Sequence, residues 1–385
     1  MKRMKFFVPV LAGLFVGQLF AESERPLSVI NTLRFGYNDN LYYRDSGQSK
    51  SSFFVTDIVD LSLRAVLSDR TDMLVKTQLN FLSDDGSTEL YPNLYAMLNH
   101  SISPRLLLQL SEYFRSGEKD GGGTVSGTNR RYNYYENRMS ASADYILDQK
   151  NRLQSSAGHS IMRNEDDLGS GLKLDYTTVD AGLMWKHDIA PQRTYSTLSL
   201  QERMTEYDNR DSSFDATDIS AGIGHTFNPE WQGNLDMGAT LVRPDEQGAE
   251  NKNTLNPLIR AGLSYSPSPI TRFAADFTSR YEESGDNRYG GQNSQELQLS
   301  AQHDLTAKLM ARILARYQKI NYDENASASK ATSEDVVNLQ LLLTYKLNRI
   351  NFLEARVRHS SNKGDARAED WEQNVVDVGW RVELR

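Results

Sequence analysis

The sequence predicts an all-β fold, a transmembrane antiparallel up-and-down β-barrel of about 18 strands, and three observations predict it. Apolar and polar residues alternate with a period of two along most of the chain. The connectors between alternating segments are by turns short and long. A leader-like N-terminus precedes them, and no later stretch reaches the ~20 apolar residues that a membrane helix needs.

The alternation is plain in LMARILARYQ, which starts at Leu309. Leu309, Ala311, Ile313, Ala315 and Tyr317 share one side, while Arg312, Leu314, Arg316 and Gln318 share the other. Successive side chains of a strand point to opposite faces, so this is a two-faced strand. Segments of this kind cover 27–41, 53–67, 72–82, 89–102, 105–115, 132–147, 152–163, 172–187, 195–207, 215–227, 231–242, 255–265, 271–281, 294–305, 308–321, 335–347, 350–360 and 373–384. One face is apolar throughout. It carries Leu61, Leu63 and Ala65; Met139, Ala141 and Ala143; Val179, Ala181 and Leu183; Ile219, Ala221 and Ile223; Phe273, Ala275 and Phe277; Leu339, Leu341 and Leu343. Aromatic rings gather near the ends of these stripes: Tyr145, Trp185, Tyr265, Tyr281, Tyr345 and Trp380. Such rings suit membrane interfaces, where one end is apolar and the other wet. A soluble β-sandwich would alternate equally well. The leader, the meandering connectors and the terminal aromatics favour the barrel.

Tight turns follow even-numbered segments: SDRT at Ser68, SP at Ser103, DQKN at Asp148, NPE at Asn228, SPSP at Ser266 and NR at Asn348. These residue types bend chains for known stereochemical reasons. Longer polar segments follow odd-numbered ones, at Arg44, Gly117, Arg243, Glu282, Asp323 and Ser361. Short turns on one side and long loops on the other are the layout of an outer-membrane barrel.

Lys2, Arg3 and Lys5 precede the apolar run from Phe6 to Ala21, which reads as a signal peptide over 1–21 with cleavage after Ala21 and the barrel as 22–385. No Cys follows it, so a lipoprotein anchor is excluded. The expected location is the cell outer membrane, among outer-membrane lipids and lipopolysaccharide. Mean hydropathy is −0.59. That value suits a barrel, whose lipid face takes only every second residue. Net charge is −8, and loss of the three leader cations takes it to −11, a poor balance for nucleic acid. The chain has no Cys, which excludes disulfides and thiolate chemistry.

The inward face is polar and rich in Arg: Arg260, Arg272, Arg280, Arg312, Arg316, Arg356, Arg358 and Arg381, with Arg64, Lys76, Arg115 and Arg138 earlier. Asp276, Glu296, Glu354 and Asp377 are interleaved with them. Charges on this scale require a wet interior. Rings of Arg favour anions; alternatively, these Arg brace the wall against the carboxylates. The selectivity candidates are Arg312, Arg316, Arg356, Arg358, Arg272 and Arg280, with Glu354 and Asp377 as partial counter-charges.

No catalytic set, cofactor motif or metal site stands out. His100, His159, His187, His225, His303 and His359 are scattered. His159 and Ser160 are strand neighbours that face opposite ways, which argues against a hydrolase pair. Glu165, Asp166 and Asp167 form an acidic loop that is read as solvated, with Ca²⁺ as the ligand to test. Gly121, Gly122 and Gly123 lack the strand–turn–helix setting of a phosphate loop.

FGYNDNLYYRD from Phe35, followed by TDIVDLSLRAVLSDRTDMLVKTQLNF from Thr56, resembles the opening of the β-barrel porin families found in exopolysaccharide gene clusters. The closing segment from Asn348 to Leu384 is similar in layout to their final hairpin. The resemblance implies an outer-membrane channel or conduit that supports passage of polysaccharide or anionic solutes, with polysaccharide export components as partners. The last apolar stripe ends on Leu384 where such barrels commonly offer the barrel-assembly machinery an aromatic residue. The alternative function is a structural or adhesive barrel with a closed lumen, the segment 117–131 being a candidate to fold inward.

Overall fold

The computed structural model describes residues 27–41, 49–84, 87–120, 131–164, 175–208, 212–246, 253–283, 291–322, 333–364 and 370–384. The leader, the acidic run at 165–167 and the three glycines at 121–123 lie outside them. The elements are β1 (Leu27–Asn38), β2 (Ser52–Ser68), β3 (Thr71–Asp84), β4 (Ser87–Ser103), β5 (Leu106–Asp120), β6 (Arg131–Ile146), β7 (Asn151–Asn164), β8 (Tyr176–Ala190), β9 (Thr194–Tyr207), β10 (Ser212–Thr226), β11 (Trp231–Glu246), β12 (Thr254–Ser268), β13 (Thr271–Glu283), β14 (Gly291–Asp304), β15 (Leu309–Tyr322), β16 (Ser333–Lys346), β17 (Asn351–Gly364) and β18 (Trp371–Leu384). All eighteen predicted strands are present. Each pairs antiparallel with its neighbours in sequence, and β18 pairs with β1, so the sheet closes on itself. No helix among the described residues is long and apolar enough to cross a membrane.

Eight connectors of two to four residues, after the even strands, lie at one end of the barrel. Their chemistry repeats. In the four-residue turns the side-chain oxygen of Asp148, Asn228, Thr306 or Asn348 accepts the backbone N–H groups two and three residues on, at 2.8 to 3.2 Å. A short polar side chain thus replaces a backbone acceptor and closes the turn. Around the same end, Thr71, Thr194 and Thr271 each open a strand and bond the Nδ1 of His100, His225 and His303. His187 and His359 bond Asn151 and Asn374 in the same fashion. Five of the six histidines therefore have structural partners in the wall.

The apolar face points outward, since its large side chains are exposed: Ile219, Leu341 and Val378 stand 56, 38 and 57 % open. Tyr145, Trp185, Tyr345 and Trp380 are likewise exposed. Tyr265 is half-buried, stacked on Trp231 at 4.0 Å between ring centroids and on Phe273 at 6.1 Å. These five rings share the short-connector end. Trp185 and Trp380 donate their indole N–H groups to Asn151 and Asn351, the first residues of β7 and β17. The outer face also carries polar pairs that alternation does not announce: Asn137 donates to Glu112 at 3.0 Å, and Arg243 pairs with Glu202.

Tyr281 departs from the expectation of an interface aromatic. It is only 3 % exposed and packs edge-on against Phe214, with centroids 5.4 Å apart. Phe214 lies on the inner face, opposite in parity to the exposed Ile219 and Ile223. The cause is a break in the wall. Pairing of β12 with β13 stops at Ile259 opposite Ser279, while β12 continues with β11 as far as Thr254 and β13 continues with β14 as far as Glu283. Beyond the break, β13 and β14 pass inside β12, so side chains of outward parity meet the inner wall.

Candidate functional site: the charged inner wall

The inner wall where the barrel closes is organised around two buried carboxylates. Asp377 on β18 has a side chain with no exposure and accepts Arg34 Nη1 from β1 at 2.8 Å and Arg356 Nε from β17 at 2.7 Å. Glu354 on β17 pairs with Arg34 and lies 2.9 Å from Arg381. Arg381 also pairs with Glu383. Three Arg and three acids balance, and the network ties β17, β18 and β1 together.

Glycine makes this crossing possible. Gly379 on β18 sits directly between Arg34 and Glu354 in the ladder. A Cβ there would lie 3.0 Å from Arg34 Cγ and 3.5 Å from its Nη1. Arg34 therefore reaches over a bare backbone to its partner. Any larger side chain at 379 would compete for that space.

The predicted selectivity residues separate into braced and free. Arg356 is held by Asp377, Arg316 by Glu296 at 2.7 Å, and Arg280 by Glu282 at 2.7 Å. Arg358 also has a partner. Glu354 and Asp377 are closed within the network rather than available as loose counter-charges. Arg312 and Arg272 differ. Both are exposed toward the lumen, and neither has an ion-pair partner among the described residues. They lie on one cross-strand row, Arg272 opposite Gln302 and Gln302 opposite Arg312. Two strand spacings place their Cα atoms ~10 Å apart. Arg64 on β2 and Lys76 on β3 are similarly exposed on the inner face. Arg64, Lys76, Arg272 and Arg312 have no ion-pair partner among the described residues, and neither do the carboxylates Asp60 and Asp276 on the same face.

Sequence reading missed a second feature of the lumen. Toward the long-connector end the inner face becomes apolar. Tyr207, Phe214, Ala216, Val242 and Tyr281 form one buried cluster, and Tyr134 with Met162 forms another; Tyr176 packs against both. Alternation places Tyr134, Met162, Tyr176 and Phe214 inward, so the signal existed. The same residue types dominate the outward stripe, so composition alone does not set these rings apart.

The family described as "Putative beta-barrel porin 2" matches residues 59–384. No curated protein matches the chain. Solved structures give the same architecture. OpdK of Pseudomonas aeruginosa, solved with vanillate, is 13% identical with a TM-score of 0.51, covering 93% of this chain and 99% of that one. OccK2 (OpdF) of Pseudomonas aeruginosa, in complex with glucuronate, is 12% identical with a TM-score of 0.52, covering 93% and 98%. OccAB4 of Acinetobacter baumannii is 11% identical with a TM-score of 0.50, covering 94% and 99%. At these identities the likeness concerns the fold.

Proposed function

The chain belongs to the beta-barrel porin 2 family, and from that premise we propose that it is an outer-membrane channel for small anionic solutes, above all those bearing a carboxylate. The observation that carries this reading is the row Arg272–Gln302–Arg312. Two guanidinium groups without ion-pair partners flank a carboxamide on the inner wall. Guanidinium donors match the two oxygens of a carboxylate, and the carboxamide can serve a neighbouring hydroxyl. An eighteen-strand wall is wide enough for an aqueous lumen. Vanillate and glucuronate, found in two barrels of the same fold, are both carboxylates. Acidic fragments of a polysaccharide share that chemistry, which links this reading to the exopolysaccharide resemblance. Passage of an intact polymer is favoured less, because the inner wall narrows where β13 and β14 turn inward.

Liposome swelling tests this reading. Vesicles containing the protein should admit a uronate faster than a neutral sugar of equal size, and Arg272→Gln with Arg312→Gln should abolish the difference. Vesicles that admit neither solute would instead support the closed structural barrel, which the same inward turn favours.

A further inference from the structure

The inward ends of β13 and β14 have two places to go. In the present arrangement Tyr281 sits among Tyr207, Phe214 and Val242, and Arg203 Nη2 donates to the Tyr281 carbonyl at 2.7 Å. Asn293 on β14 donates to Asn256 on the inner face of β12 at 3.3 Å. Gly291 is needed for this seat: a Cβ there would lie 1.9 Å from the Tyr281 hydroxyl and 2.3 Å from its Cζ. The other arrangement is a continuation of the ladder. Ile259 opposite Ser279 would be followed by Leu258 opposite Arg280 and Pro257 opposite Tyr281. Tyr281 would then face outward, where its alternation assigns it. Pro257 has no N–H to contribute to the ladder, so the stretch of β12 that would receive β13 is a weak partner.

We propose that residues 279–283 and 291–295 form a flap that narrows the lumen when Tyr281 is seated inside and widens it when β13 resumes pairing with β12. The two states replace one set of interactions by another. The inward state has a buried ring and a guanidinium–carbonyl bond; the outward state has ladder bonds and an outward aromatic. Bistability of this kind lets small changes shift a population. The gating role rests on the channel reading above; the movement of the flap does not.

The chain has no Cys, so a single introduced thiol reports one site. Leu258→Cys places a thiol on the inner face of β12, where the native side chain is 1 % exposed beside the flap. Its labelling by a membrane-impermeant maleimide in proteoliposomes should be slow. Adding Tyr281→Ala should accelerate it about tenfold or more, given what a buried ring contributes. Gly291→Val, which evicts the ring and leaves Tyr281 itself in place, should do the same, with heat-modifiable gel mobility confirming a folded barrel. Equal labelling rates in all three backgrounds overturn the flap. Single-channel recording of Tyr281→Ala and Gly291→Val, without the introduced Cys, should show larger or longer openings than the parent protein. Faster labelling with unchanged conductance overturns the gating role. Absence of conductance in every variant, with labelling still accelerated, overturns the channel reading and keeps the flap.

Discussion

Asp377→Asn should unfasten the barrel where it closes. The native carboxylate is fully buried and receives Arg34 at 2.8 Å and Arg356 at 2.7 Å. The variant keeps one acceptor oxygen and loses the charge, leaving a net positive cluster in an enclosed space. Removing one member of a buried pair commonly destabilises by about 3–5 kcal/mol. Arg34 retains Glu354 here, and the Arg356 side chain is 25 % exposed, so water can share its charge. An expected loss of about 2–4 kcal/mol follows from those two reductions. Urea unfolding in detergent micelles, followed by tryptophan fluorescence, measures it. Adding Arg356→Gln should recover part of the loss, because the two residues share one network. Arg272→Gln, a residue without an ion pair, should move the midpoint by no more than about 0.5 kcal/mol. A native midpoint in Asp377→Asn would mean that the network is no less solvated than the free arginines.

Other substitutions follow from the same geometry. Leu341→Arg should destabilise by about 2–4 kcal/mol, while Gln340→Arg on the inner face should be tolerated, as read by folding yield in lipid vesicles. Equal outcomes would mean a register slipped by one residue. Asn137→Leu should cost about 1–3 kcal/mol by leaving Glu112 without its donor, and Glu112→Leu in the same protein should reverse the loss in urea titrations. In the β6–β7 turn, the backbone N–H of Lys150 foremost, then the Asn151 side chain, holds the Asp148 carboxyl below its ordinary range. A depressed folded-state value means stabilisation that is present above the unfolded value and lost as pH falls through the folded one. Asp148→Ala should therefore loosen this turn at neutral pH and match its parent in strong acid, followed by amide exchange at Asn151.

How much of this was legible in the sequence depends on the range of the interaction. Alternation is a direct record of the two faces, so the wall, its outward stripe and its inward arginines could be read residue by residue. The turns were legible too, because Asp148, Asn228 and Asn348 act on their own next few residues. The division of arginines into braced and free was not. Arg34 meets Glu354 and Asp377 across 320 and 343 residues of chain. Only the register of closure brings them together, and only Gly379 lets them touch. Tyr281 shows a different limit. Parity states which side of its strand a residue occupies, but not on which side of the wall that strand runs. Pro257 was the available hint, since a proline inside a strand points to an unpaired edge.

The most direct measurement is the zero-current potential of the purified protein in a planar bilayer under a potassium chloride gradient. The native protein should prefer anions, and the preference should weaken as salt rises and the screening length shortens. The Arg272→Gln, Arg312→Gln variant should shift toward cations, and Arg316→Gln, whose guanidinium is already paired, should shift little. A cation-selective native pore, or equal potentials in the native protein and the double variant, would mean that Arg272 and Arg312 do not set selectivity.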